Sequence, residues 1–473
     1  MVTYPSIMKN FKFVSLCFVS SLLMVSPFLT MPLFKSVRQD TMFYYQSPRS
    51  TWQTYVSTNL DAKLAVSNIL GQLSESNPPE IVFLFVGQAH ASSFDIIVEY
   101  ASATLPRPTR LLSVVGGGVI GQNLELDEPT KPSMAILAGT LPEGAEIEVF
   151  SFNELNDPPP PPQSEYWNKL GSSSLLVLAD PWSPVTDILD GLSASTGKLQ
   201  KETVVVGGFS MPVGARPTVA LDSKVMPQGS LVGIGFSGTL SLQAVVAQGC
   251  LPFGPTYVVT ACEKNCVLEL DFKPAQEVME ESIASASQDT EKQRKISSSI
   301  VCGVSDRNTQ GDYLMRSIVG FVPGKKAFLI SGKSLEKGDR IRFHISDKVA
   351  ATEDLELMVK RAETERLFQQ DKSTTPVAAV QVSCIGRGRR LFGVPNMDLS
   401  KIQQLLAGPV GGFYANGGIG PVGVAGFSTA KNTTVGTHVH GFTTVAALLC
   451  ESDTQDAPNS DTSSSSKEED VWG

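Results

Sequence analysis

Basic residues are few and never massed: 38 Lys and Arg stand against 47 Asp and Glu, for a net charge of −9. A nucleic-acid binder needs a concentrated basic face, and the densest basic stretch here, Arg387 to Arg390, is broken by Gly388. Nucleic acid is therefore excluded as a partner. The seven cysteines (Cys17, Cys250, Cys262, Cys266, Cys302, Cys384 and Cys450) are odd in number and irregularly spaced, which excludes a disulfide framework or zinc ribbon. Buried thiols in a reducing compartment are the expectation. A phosphate-binding loop is missing too, since Gly332-Lys333-Ser334 lacks the leading glycine at the required spacing. Gly116-Gly117-Gly118 follows an apolar run, but Pro129 and Pro132 soon stop the helix that a dinucleotide fingerprint requires. Only four histidines occur. His438 and His440 would share one face of a strand, half of a metal site whose other half cannot be named. Cys384 sits at a strand-to-turn junction suited to a nucleophile, yet nothing in the sequence pairs it with a histidine and a carboxylate. No catalytic residue, cofactor or metal is expected.

The first acidic residue is Asp40, and lysines flank an uncharged apolar run from Phe13 to Phe34. Residues 1–45 read as a targeting leader, with plastid import favoured because the segment is acid-free and Ser-rich. The run is also long enough to span a bilayer, so a membrane anchor through 13–34 or the secretory pathway is the alternative, although Pro27 and Pro32 disfavour a continuous helix. Beyond Cys450, residues 451–473 are Ser, Asp and Glu with little that is apolar, a composition expected to stay disordered.

Between these ends the pattern alternates. Ser57 to Leu73 has helical spacing, Ile81 to Gly87 is a buried strand, Phe94 to Ala103 a helix and Leu111 to Val115 the next strand. Two strands joined by a helix imply a parallel pair. Met134 to Gly139 and Ala145 to Phe152 read as a hairpin, and the proline run within Asp157 to Gln163 as a surface loop. Leu175 to Pro181, Pro184 to Leu192 and Val204 to Gly208 then repeat the strand, helix, strand order, an internal duplication. Pro274 opens a further helix, Ser285 to Ser299 is a polar insertion, Asp354 to Phe368 is an amphipathic helix and Val377 to Cys384 a strand. The fold class is α+β: mixed sheets flanked by helices in two related subdomains, 55–272 and 273–450.

From Ser383 to Phe442 glycine is dense, yet Val, Phe, Leu and Ile stand between the glycines at strand-like density. Such glycines permit positive φ or close backbone approach. An amide-lined small-molecule pocket is the expectation.

This block resembles the C-terminal half of the FIST domain, a sensory module of bacterial signal-transduction proteins and eukaryotic F-box proteins. The motifs are Cys384 to Gly388, Leu391 to Gly393, Gly412 to Pro421 and His440 to Phe442. Gly311 to Gly320 and Lys337 to Asp347 add to them, and Leu111 to Gly121, Gly229 to Gly238 and Gln248 to Thr260 resemble the N-terminal half. The likeness spans roughly Pro79 to Cys450. Gly418 stands where the family often has Glu.

The resemblance implies a small ligand such as an amino acid, and an arginine on a glycine turn could offer its fork to the ligand's carboxylate. The expected ligand-binding residues are Arg387, Tyr414, Asn416, Gly417, Gly420 and Cys384. The implied function is a small-ligand sensor in signal transduction. No kinase, receiver, F-box or methyl-accepting segment is visible, so an unknown protein partner would supply the output. The alternatives are a protein-interaction adaptor and an uncharacterised hydrolase.

Overall fold

The computed structural model describes residues 50–452, apart from 154, 163, 172, 200–202, 306–312, 333, 369–373 and 428–435. The expected leader and the tail beyond Ser452 lie outside the described residues. Glu451 and Ser452, assigned to that tail by composition, instead end a strand, Thr444–Ser452. Among the described residues no helix is long and apolar enough to cross a membrane.

Ile81–Gly87 (β1) is apolar along its length because both of its faces are covered. Ile81, Phe83 and Phe85 join a central core, whereas Val82, Leu84 and Val86 meet the helices Ala62–Leu70 and Phe94–Thr104. β1 runs parallel to Arg110–Gly116 (β2), with Phe83 opposite Leu112 and Phe85 opposite Val114. The same unit recurs twice. Ser174–Ala179 (β3) pairs in parallel with Val205–Phe209 (β4), and Thr374–Cys384 (β5) with Val410–Ala415 (β6).

Each parallel pair centres a mixed sheet of one design. An outer strand and an antiparallel strand lie beside the first member of the pair, and two short antiparallel strands, joined as a hairpin in the first and third sheets, lie beside the second; the third sheet adds Val424–Ala425 at its edge. These short pairs are exchanged cyclically. The chain leaving β2 forms Val119–Gly121 and Leu124–Leu126, which complete the third sheet beside β6. The chain leaving β4 forms Val219–Leu221 and Lys224–Val225 beside β2. The chain leaving β6 supplies Gly418–Gly420 and His438–His440 beside β4. The expected duplication is thus a threefold repeat, and the two halves of the chain share their sheets. Residues of all three sheets, among them Phe83, Leu178, Val232, Val382 and Phe413, form one core.

A fourth sheet stands apart from this plan. Cys250–Glu263 pairs with Arg340–Ser346 on one side and Cys266–Leu270 on the other, so the sheet closes into a barrel. Closure removes exposed edges. Phe328, Phe343, Ile341 and Val304 fill it, and Val278 and Met279 of the helix Ala275–Ala286 pack onto that core.

Several expectations are corrected. The N-terminal helix is only Ala62–Leu70, because Asp61 caps it by accepting from Leu64 N–H, and Leu60 and Leu64 face solvent. Met134–Gly139 and Ala145–Asn153 are not a hairpin; the first joins the first sheet and the second joins the second. The polar insertion contains a helix, Thr290–Ser299, capped by Asp289 and without a buried residue.

Glycine in β6 is a packing requirement. A Cβ on Gly412 would lie 1.8 Å from the Gln381 carbonyl oxygen in β5. Gly412→Ala is expected to lower stability by about 1–3 kcal/mol, as overpacking does. An unchanged urea midpoint would contradict this packing.

Candidate functional site

The β5 strand ends at Cys384, and the glycine-rich turn that follows is shaped by what surrounds it. Gly388 has φ +61°. A Cβ there would fall 2.5 Å from Asp127 Oδ2 and 2.8 Å from Tyr414 Oη, so both conformation and space select glycine. The turn leads into the short helix Arg389–Phe392 and then Met397–Ile402. Arg389 N–H donates to Asp127 Oδ2, and the Arg389 guanidinium lies 3.2 Å from Asp127 Oδ1.

Arg387 does not present a free fork. Its Nε and Nη2 donate to Asp398 Oδ2 and Oδ1, each at 2.7 Å, and both side chains are almost fully buried. Nη1 donates to the carbonyls of Gln248 at 2.8 Å and Phe442 at 3.3 Å. Burial works against the guanidinium charge, and the Asp398 carboxylate more than restores it, leaving the pKa raised. The expected receptor for a ligand carboxylate is therefore occupied by a carboxylate of this chain.

The other expected residues divide in the same way. Tyr414 is fully buried, and its hydroxyl lies under the Gly388 turn without a hydrogen bond of good geometry. Burial first, then the carboxylates Glu125, Asp398 and Asp127, push its pKa up. Cys384 is buried, and its N–H donates to Thr443 O. Asn416 is exposed at the end of β6, with its N–H on Phe209 O. Gly417 (φ +122°) accepts from Phe209 N–H, and Gly420 O accepts from His440 Nε2 at 2.9 Å. A Cβ on Gly418 or Gly420 would meet Val445 or Val246 within 3.0 Å. These glycines bring sheets together, and none of them is among the residues lining the cleft beside Arg389.

An opening reaches the end of the turn at Arg389. A cleft of about 190 Å³ is lined by Thr58, Glu125, Asp127, Lys131, Ser133 and Arg389, with Leu126, Glu128 and Pro132. Its acidic wall comes from the hairpin that the first sheet donates to the third. The Glu125 carboxylate accepts from the N–H groups of Asn396 (2.6 Å) and Leu399 (2.9 Å) and from Gln381 Nε2 (3.2 Å). Burial raises its pKa first, and the nearby Asp398 adds to the rise. The Asp127 side chain is only 5% exposed, whereas Arg389 is 48% exposed. Ser133 Oγ is buried and without a hydrogen-bond partner. The cleft thus offers a sheltered carboxylate beside a half-exposed guanidinium, a pair able to meet opposite charges on one small molecule.

Sequence reasoning missed Glu125, Asp127 and Asp398. Asp127 was visible only as the acid closing the run that follows Gly116 to Gly118, and no local spacing links it to Arg389, since a sheet exchange brings them together. Among the described residues no group of three or more potential metal ligands occurs.

The sequence model of the FIST N domain matches residues 80–273, and that of the FIST C domain matches residues 275–421. The chain is 30% identical over 409 residues to uncharacterized proteins of two Mycobacterium tuberculosis strains, H37Rv and CDC 1551; the match covers 84% of this chain and 98% of theirs. It is 28% identical over 410 residues to an uncharacterized protein of Mycobacterium bovis, again covering 84% of this chain and 98% of the relative.

Proposed function

The chain belongs to the FIST family, a sensory signal-transduction family, and on that premise we propose that it senses a small zwitterionic metabolite, an amino acid or close relative, in the cleft beside Gly388. The ligand's ammonium meets Asp127, its carboxylate meets the outer face of Arg389, and Tyr414 supports the floor beneath the turn. The observation that carries this reading is the sheltered Asp127 carboxylate set next to a half-exposed guanidinium in a cavity of amino-acid size. Arg389, two residues after Arg387, takes the role of the ligand's cationic contact, because the Arg387 fork is filled. A separate protein receives the signal.

Thermal-shift measurements on the full chain with the proteinogenic amino acids, one at a time, test the reading. Stabilisation that saturates with concentration is expected for a subset of them, as for any ligand that binds only the folded state. Arg389→Ala should abolish that shift and lower basal stability by about 1–3 kcal/mol, because the sheltered Asp127 carboxylate loses the guanidinium but keeps the residue 389 N–H. A ligand that still stabilises Arg389→Ala as before would remove the cleft from consideration.

A further inference from the structure

Arg387 sits where the three-sheet body meets the barrel. The chain enters the barrel through Gln248 and Gly249, between the strands Leu240–Ala247 and Cys250–Glu263. Both polar groups of the Gln248 backbone are held by charged side chains, one half-buried and one buried: its N–H donates to Asp354 Oδ2 at 2.6 Å, and its carbonyl accepts from Arg387. Gly249 has φ +79°, and a Cβ there would lie 2.3 Å from Ala351 Cα, so this joint is tightly seated. The second contact is the turn His440 to Phe442. Gly441 N–H donates to Met315 O in the barrel strand Leu314–Val322, and Phe442 O accepts from Arg387. One guanidinium therefore reaches two of the places where body and barrel meet, the third being the return of the chain from Arg340–Ser346 into the helix Lys348–Phe368.

The same loop reaches the cleft at Arg389. Asp127 holds the backbone of Arg389, two residues after Arg387. Glu125 holds the backbone of Asn396 and Leu399, on either side of Asp398. Gln381 and Ser383 bridge the remaining gap, because Gln381 Nε2 donates to both Glu125 Oε1 and Ser383 Oγ (3.0 Å), and Ser383 lies 3.5 Å from Asp398 Oδ2. The links among Glu125, Gln381, Ser383, Asp398 and Arg387 are buried, and those at the two ends, to Arg389 N–H and to the Gln248 and Phe442 carbonyls, are exposed or half-buried, so displacement at the cleft end passes into a packed interior.

We propose that the buried Arg387–Asp398 pair carries the state of the cleft to the barrel, with Arg387 as the positioning residue that sets how firmly the barrel is attached at Gln248 and Phe442. The proposal rests on the reading of the cleft as the ligand site. It assigns the Cys-Ile-Gly-Arg-Gly, His-Gly-Phe and Gln-Gly-Cys motifs to one mechanical joint, because Arg387, Phe442 and Gln248 converge there. Occupancy that shifts Asp127 or Arg389 moves the loop 387–399 and thereby changes the attachment of the barrel.

Hydrogen exchange on the full chain tests the relay without a ligand. Asp127→Ala removes the cleft end of the chain and should raise exchange in Gln248 to Phe253 and in His440 to Thr444 by roughly tenfold, the scale of one lost hydrogen bond to a charged group. The helix Ala62–Leu70, packed on the far side of the first sheet, should be unchanged and separates this from global loosening. In an Arg387→Lys background, which keeps the charge but cannot reach Asp398, Gln248 and Phe442 together, adding Asp127→Ala should produce no further rise. Asp398→Asn serves in its place if Arg387→Lys does not fold. Unchanged exchange at the barrel joint in Asp127→Ala, or an undiminished rise in the Arg387→Lys background, overturns the relay. A failed amino-acid screen beside a positive exchange result removes the ligand assignment alone.

Discussion

Arg387→Ala is expected to cost about 3–5 kcal/mol of stability, the usual consequence of leaving one member of a buried ion pair uncompensated. The cost arises from Asp398, which is almost wholly removed from water and loses two hydrogen bonds of 2.7 Å. Two carbonyls, Gln248 O and Phe442 O, lose a donor at the same time. A surface arginine kept for a ligand would behave differently, since its removal would alter binding and leave the urea midpoint nearly unmoved. The double variant Arg387→Met with Asp398→Leu separates the terms. If the pair alone mattered, apolar replacement would recover most of the loss, as it does for other buried pairs. Here recovery should be partial, because the two carbonyls remain without their donor. A midpoint for Arg387→Ala within the range of an ordinary surface substitution would show that the guanidinium does not hold the joint.

Two of the three parallel pairs were legible in the sequence because their signal is local, and the third, Thr374–Cys384 with Val410–Ala415, was not. Ile81 to Gly87 and Leu175 to Pro181 are uninterrupted apolar runs bounded by turn residues, and a strand covered on both faces needs nothing else. The partners of the hairpins were not legible. Val119 to Leu126 carries the same alternation whichever sheet it completes, and Met134–Gly139 is adjacent in sequence to a strand with which it does not pair. Long-range exchange leaves no local periodicity to read. The site shows the same division. The turn at Gly388 could be expected from its glycines, whereas the reason for it, Asp127 and the Tyr414 hydroxyl crowding from two other strands, could not. Arg387 was expected to offer its fork to a ligand's carboxylate, but the fork meets a carboxylate of this chain. That carboxylate, Asp398, lies eleven positions along the same chain, with a turn and a short helix between them.

The second large effect concerns acid. His344 and His440 are buried, each with its pKa pushed down from 6.5 to about 4 by desolvation. An unfolded chain protonates both near 6.5, so between that value and about 4 it binds more protons than the folded chain does. Stability should therefore be flat above roughly pH 7, fall as pH drops through this window, and lose nothing further from these two groups below about 4. The difference corresponds to roughly 3 kcal/mol per histidine once both states are protonated. Glu125 and Asp354 act in the opposite sense. Burial raises their pKa values, so the folded chain takes up protons there more readily and offsets part of the loss at the acidic end. His440→Gln isolates one contribution, because a glutamine amide can still donate to Gly420 O where His440 Nε2 does so now, and it does not titrate. Urea unfolding at closely spaced pH values should show stability near pH 8 little altered and the loss between pH 6.5 and 4 reduced by about half. An undiminished acid loss in that variant would place its source elsewhere. Retention of the loss in His440→Gln and its disappearance in a His344 variant would assign it to the barrel, where His344 lies opposite Val301, rather than to the turn that binds the barrel to the body.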